Sequence, residues 1–103
     1  MKAIIIDDEP RARNLLEKML EDIQEIQLEI FTAKNLLEGV ELIKTEQPQL
    51  VFLDIEMPEH SGLEIFNFIK PPVYFKLIFT TAYNQYAIEA FKQNAVDYLL
   101  KPI

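Results

Sequence analysis

Residues 51–62 read VFLDIEMPEHSG: the apolar run Val51–Leu53 strikes a carboxylate at Asp54, then turns through Pro58 and Gly62. With Gln49 and Leu50 ahead of it, the run is short, apolar and rich in strand formers, as a buried strand should be. A buried strand that ends on a charge either opens a loop or holds a reactive group at the mouth of a sheet. Which of the two applies depends on what other segments deliver to the same edge.

Working outward, each flanking segment falls into one of two patterns. Met1–Ile6 is a β-branched apolar run that fits a strand, and Pro10 behind it suits the first turn of a helix, where a missing N–H costs nothing. Leu15, Leu16, Met19, Leu20 and Ile23 recur at helical spacing and predict an amphipathic helix over 10–23. Leu28–Ala33 predicts a second strand. Leu36, Leu37, Val40, Leu42 and Ile43 predict a second helix, capped by Asn35 and ended before Pro48. After the third strand at 49–54, Leu63, Ile65, Phe66 and Ile69 predict a short third helix stopped by Pro71 and Pro72. Phe75–Thr80 predicts the fourth strand, 84–93 the fourth helix, and 95–103 a fifth strand ending near Lys101 and Pro102.

Strand and helix therefore alternate, with short connections and no hairpin signal. Such a chain needs crossover connections, and the expected class is α/β: a doubly wound, five-stranded parallel sheet with helices on both faces. At 103 residues it is one domain with one core. A net charge of −7 argues against a sequence-independent grip on nucleic acid, and the absence of cysteine excludes disulfides and thiolate metal sites. No apolar run approaches membrane-spanning length and no leader pattern is seen, so no membrane association and a cytoplasmic location are expected.

In open α/β sheets, ligands bind beyond the carboxyl ends of the strands. Strand one ends in Asp7 and Asp8, strand three in Asp54, strand four in Thr80 and Thr81, and strand five in Lys101. Three crowded carboxylates repel one another, and a divalent cation that prefers oxygen ligands, Mg2+ above all, relieves the repulsion. A free Asp54 oxygen could then attack phosphorus while Lys101 and the Thr81 hydroxyl steady the transferring group. The chemistry expected is phosphoryl transfer onto an aspartate.

IIIDDEP, VFLDIEMPEHSG, FTTAY and DYLLKPI, in that order and spacing, resemble the motif blocks of the receiver domain of two-component response regulators. The resemblance implies a flavodoxin-like sheet of order 2-1-3-4-5 and a phosphoaccepting switch, not an enzyme in the ordinary sense. Asp54 becomes the phosphoacceptor. The implied Mg2+ site consists of Asp8 and Asp54 as direct ligands, Asp7 acting mainly through water, and the backbone carbonyl of Glu56. Thr81 becomes the switch hydroxyl, Tyr98 the switch aromatic and Lys101 the phosphate-side lysine, with a cis bond to Pro102. The implied partners are a sensor histidine kinase and a second copy docked through helix four and strand five. DNA would be reached only through an output domain outside this chain, most like those of the LytTR subfamily. Receivers normally continue through a fifth helix, so 1–103 reads as a receiver domain truncated after its fifth strand, with an uncovered sheet face expected to self-associate.

Blander readings exist for each residue. Asp7 and Asp8 could merely cap a helix. Thr80 rivals Thr81, since neighbours on a regular strand face opposite ways. Tyr98 could be a core tyrosine. His60 has no second histidine to make a metal pair, and Gly62 is expected to supply turn freedom. Arg11 and Arg13 are expected to be solvated, a kinase contact being the other reading. Asn94 suits a left-handed helix end. The competing functions are an aspartyl-phosphate phosphatase-type enzyme, which would use Glu56 as its acid, and a protein-binding receiver that never takes phosphate. An FMN carrier would share the fold, but this chain lacks the hydroxyl-rich, phosphate-binding loop after strand one.

Overall fold

The apolar runs become strands and the periodic ones helices, for the reasons of packing just given. The computed structural model describes residues 1–23, 25–70, 72–82 and 97–101, with 97–100 described by their backbone. Within them run β1 (Lys2–Ile6), α1 (Pro10–Glu21), β2 (Glu29–Ala33), α2 (Leu36–Glu46), β3 (Leu50–Asp54), a 3-10 turn (Gly62–Glu64), α3 (Ile65–Phe68), β4 (Lys76–Thr81) and β5 (Asp97–Leu100). All pairings are parallel, as expected for a doubly wound sheet, and the strand order is β2-β1-β3-β4-β5, the order implied by the resemblance to receivers. The expected fourth helix, Asn94, the Pro102 peptide bond and the Tyr98 side chain lie outside the described residues.

Alternation along the strands divides the core in two. Ile4, Ile6, Val51, Leu53, Leu77 and Phe79 face α2 and α3, where they pack on Leu36, Val40, Ile43 and Ile65. Ile5 and Phe52 face α1 and meet Leu16 and Leu20, with Ile78 partly buried beside them. Each fully buried Leu, Ile or Phe contributes roughly 1.5–3 kcal/mol, so the α2 face carries most of the stability. On α1, Leu15 and Met19 remain exposed beside the buried Leu16 and Leu20.

Local chemistry sets the ends of the helices. Asn35 caps α2 by accepting the Glu38 N–H at 2.8 Å, and Gln47 closes it in the left-handed region before Pro48. The first helix stops at Glu21, short of Ile23, where the Asp22 N–H turns back to the Lys18 carbonyl and the Ile23 N–H to the Leu20 carbonyl. The third helix is shorter than its apolar spacing suggested. Ser61 and Glu64 form a capping box on one 3-10 turn, and only Ile65–Phe68 are α-helical. Gly62 does not supply a left-handed turn, since no glycine has positive φ. That conformation falls on Glu59 instead, at φ 69°.

Candidate functional site

The β-ladder runs past the strand ends and aligns the polar residues there. The Asp7 N–H donates to Ala33 O at 3.0 Å, Ile55 N–H to Thr80 O at 3.1 Å, and Lys101 N–H to Thr81 O at 2.6 Å. Asp54 closes β3 in register with Thr80. Asp7, Asp54, Thr80 and Thr81 are thereby the buried polar residues among those described, with Asp7 4 % and Asp54 3 % exposed.

Carboxylate oxygens of Asp7, Asp8 and Asp54 lie within 4.8 Å of one another. Lys101 reaches into this cluster, its Nζ 2.8 Å from Asp7 Oδ2 and 3.5 Å from Asp54 Oδ1. Three carboxylates thus face one ammonium. Burial, then the neighbouring Asp7 charge, push the Asp54 carboxyl up to about 7; Asp8 adds to the rise, and Lys101 opposes it. For Lys101, burial disfavours the charge, but the Asp7 hydrogen bond and the Asp54 and Asp7 charges outweigh it and raise its pKa. The surplus of buried negative charge and an all-oxygen donor set fit a hard divalent cation, which would hold Asp54 ionised at neutral pH.

Asp7 is bound at every polar atom. Besides the Ala33 and Lys101 bonds, its Oδ1 accepts the Glu9 N–H at 2.9 Å and its carbonyl accepts Arg13 Nη1 at 2.7 Å. It is no helix cap: the N-cap of α1 is Glu9, whose side chain makes no capping bond. Arg13, expected to be solvated, is half-buried against this loop instead. Its signal in the sequence was the distance from Pro10. Helical side chains lean toward the N-terminus, so a long side chain at the fourth helical position reaches back over the first turn. Arg11 is exposed.

The two threonines divide as alternation requires. Thr80 follows Ile78 onto the α1 face and, with Asp7 and Lys101, lines the end of a groove of about 370 Å³ that continues past Ala12, Leu15 and Leu16. Thr81 follows Leu77 and Phe79 toward the other face and is fully buried. Glu56 is exposed in the loop after β3, and the carboxylate cluster does not include it. Tyr98 is in register with Phe79 on β5. His60 takes part in local packing only, with Nδ1 3.4 Å from Glu64 Oε1 and the ring edge-on to Phe68.

The reading from sequence assigned Gly62 turn freedom and missed its packing against β3. Its N–H donates to Ile55 O at 2.9 Å, and a Cβ there would lie 2.2 Å from the Asp54 carbonyl oxygen. Glycine is needed for close approach, because the loop closes directly onto the backbone of the strand-final aspartate.

The model of the response regulator receiver domain family matches residues 3–103. This chain belongs to that family. A response regulatory protein of Vibrio cholerae is 44 % identical over the whole chain, and the transcriptional regulatory protein BtsR of Escherichia coli 41 %. The receiver spans 43 % of the length of each of these curated relatives. Among solved structures, the response regulator TrrA of Thermotoga maritima, in complex with Mg2+ and BeF, superposes with a TM-score of 0.85 at 35 % identity, covering 99 % of this chain and 87 % of that one. Receivers are signalling switches rather than ordinary enzymes. No helix among the described residues of this receiver is long and apolar enough to cross a membrane.

Proposed function

We propose that this receiver is a phosphoaccepting switch in which Asp54 takes a phosphoryl group from a histidine kinase. The observation that carries the reading is the buried Asp54 carboxylate at the end of β3, with Lys101 Nζ at 3.5 Å and two further carboxylates around it. An Asp54 Oδ oxygen attacks phosphorus of the donor phosphohistidine. The P–N bond breaks, and the imidazole nitrogen leaves with the electron pair and takes its proton back from solvent. Lys101 stands on the side where phosphoryl charge develops and neutralises it. Mg2+, held by Asp8, Asp54 and the Glu56 carbonyl, and by Asp7 through water, would supply the remaining charge neutralisation.

Thr81 is the moving part. Phosphoryl oxygens draw its hydroxyl from the buried face of β4 toward Asp54, shifting the loop after β4, and Tyr98 follows into the space vacated. The surface so altered, helix four and β5, is the one through which two copies pair. The likeness to a transcriptional regulator supports an output on DNA through a domain outside this chain, of the LytTR kind, in the cytoplasm.

Acetyl phosphate with Mg2+ tests this directly. Intact mass is expected to show one added phosphoryl group on the wild type and none on Asp54→Asn; labelling of the variant would overturn the assignment. Thr81→Ala is expected to accept phosphate yet lose phosphate-induced pairing, whereas Thr80→Ala keeps it. Continuous turnover of a generic phosphomonoester would instead favour a phosphatase.

A further inference from the structure

We propose that Arg13 is a positioning residue for the acidic pair, acting on Asp8 through the peptide plane that joins it to Asp7. The inference rests on the pocket's being a divalent-cation site. Asp8 lies just past the point where the ladder ends. Asp7 is fixed by its N–H to Ala33 O and by its carboxylate to Glu9 and Lys101, bonds that restrain its C=O only indirectly. The Arg13 guanidinium closes that freedom by donating to Asp7 O at 2.7 Å. Because the Asp7 carbonyl and the Asp8 N–H share one rigid peptide unit, fixing one fixes the plane from which Asp8 departs and leaves only its own φ and side-chain torsions to set the carboxylate.

Asp8 needs this support more than its neighbours do. Among the described residues, Asp7 and Asp54 each meet Lys101 and are nearly inaccessible, whereas Asp8 is half-exposed. Arg13 is itself anchored, since its N–H donates to Glu9 O in the first turn of α1. The contact thus ties the orientation of a metal-facing carboxylate to the first two turns of a helix.

Charge and position predict opposite signs, so the proposal can be tested cleanly. A positive guanidinium beside an acidic pocket repels a divalent cation, and its removal by simple electrostatics would tighten binding. Loss of an outer partner that orients a ligand weakens binding, typically by about tenfold or more. Titration calorimetry of MgCl2 into the wild-type chain, Arg13→Gln, Arg13→Lys and Arg11→Gln separates the two. Arg13→Gln is expected to weaken Mg2+ binding by about tenfold. Arg13→Lys, which keeps the charge and one donor, should fall between that variant and the wild type. Arg11→Gln removes an equal charge from an exposed residue that lines the same groove as Asp7, and it is expected to bind at least as tightly as wild type.

Melting in excess chelator accompanies each titration. A merely structural role would lower the melting temperature and leave the affinity of the folded protein unchanged, which overturns the proposal, as would unchanged or tighter binding by Arg13→Gln. Should Arg13→Gln not fold, the Asp8 amide resonance of Arg13→Lys decides: a changed Mg2+-dependent shift supports the role, and a wild-type titration curve refutes it. A wild-type chain that binds no Mg2+ refutes the cation site itself and this role with it.

Discussion

Among the described residues, Lys2 and Lys101 pair with carboxylates at opposite edges of one sheet. At the amino edge Lys2 Nζ lies 3.0 Å from Glu46 Oε1, with side chains 38 % and 29 % exposed. At the carboxyl edge Lys101 Nζ lies 2.8 Å from Asp7 Oδ2, with side chains 20 % and 5 % exposed. Contact distance barely distinguishes them. The first is a balanced pair in water, of the kind that contributes little. The second sits in a pocket where carboxylates outnumber the ammonium, so that its charges stay uncompensated and available to a ligand. Burial and charge imbalance, not the ion pair itself, make a site.

The largest effect expected from this difference is a pH dependence confined to the carboxyl edge. Asp54 titrates near 3.8 when unfolded and at about 7 in the metal-free fold, so the folded state holds the proton more tightly. Its contribution to stability is therefore fully present below the unfolded value and lost as pH rises toward 7, by on the order of 4 kcal/mol at most. Urea unfolding in chelator should show stability falling over that window for the wild type. Asp54→Asn is expected to flatten the fall, and Mg2+ to reverse it in the wild type alone. Equal slopes for the two proteins would contradict the charge crowding.

Substitution of each lysine sharpens the same contrast. Lys101→Met leaves buried carboxylates unpaired and is expected to cost about 3 kcal/mol at neutral pH, whereas Lys2→Met should leave the unfolding midpoint nearly unchanged. Comparable losses at the two edges would erase the distinction. Next in size is Gly62→Ala, expected to destabilise by about 2 kcal/mol and to slow phosphorylation, because the new methyl presses on the Asp54 carbonyl. Normal labelling kinetics in the folded variant would show that the contact does not set the position of Asp54. Smallest in stability is Glu56→Ala, expected to change unfolding by less than about 0.5 kcal/mol. It should still alter dephosphorylation if this exposed acid, two residues past Asp54, has the proposed role of flanking the approach of water; an unchanged rate rejects that role.

Much of this was legible along the chain because it depends on local regularities. Apolar runs of strand length separated by helical periods require crossovers, and crossovers require a parallel sheet whose carboxyl edge collects whatever residues end the strands. Asp7, Asp8, Asp54 and Lys101 could be gathered on that reasoning before any coordinate was known. The short third helix was less legible, because apolar spacing over 63–69 does not reveal that a capping box would hold its first turn in a 3-10 conformation. Arg13 differs from expectation because charged residues near a helix start are usually solvated, and its distance from Pro10 lets it reach back over the first turn without naming the Asp7 carbonyl as its partner.

Sequence by itself determined the class of fold and the residues that converge, since periodicity and strand-final charge act over a few neighbouring positions; the strand order followed only from the likeness of its motif blocks to receivers. Tertiary structure alone decided that Thr80 shares a wall with Asp7 and Lys101 while Thr81 turns to the opposite face, that Gly62 abuts the Asp54 backbone, and that Arg13 clamps Asp7. Each of these depends on how a loop closes onto a strand or which way a strand end faces, and such distances are set by the packing of segments far apart along the chain.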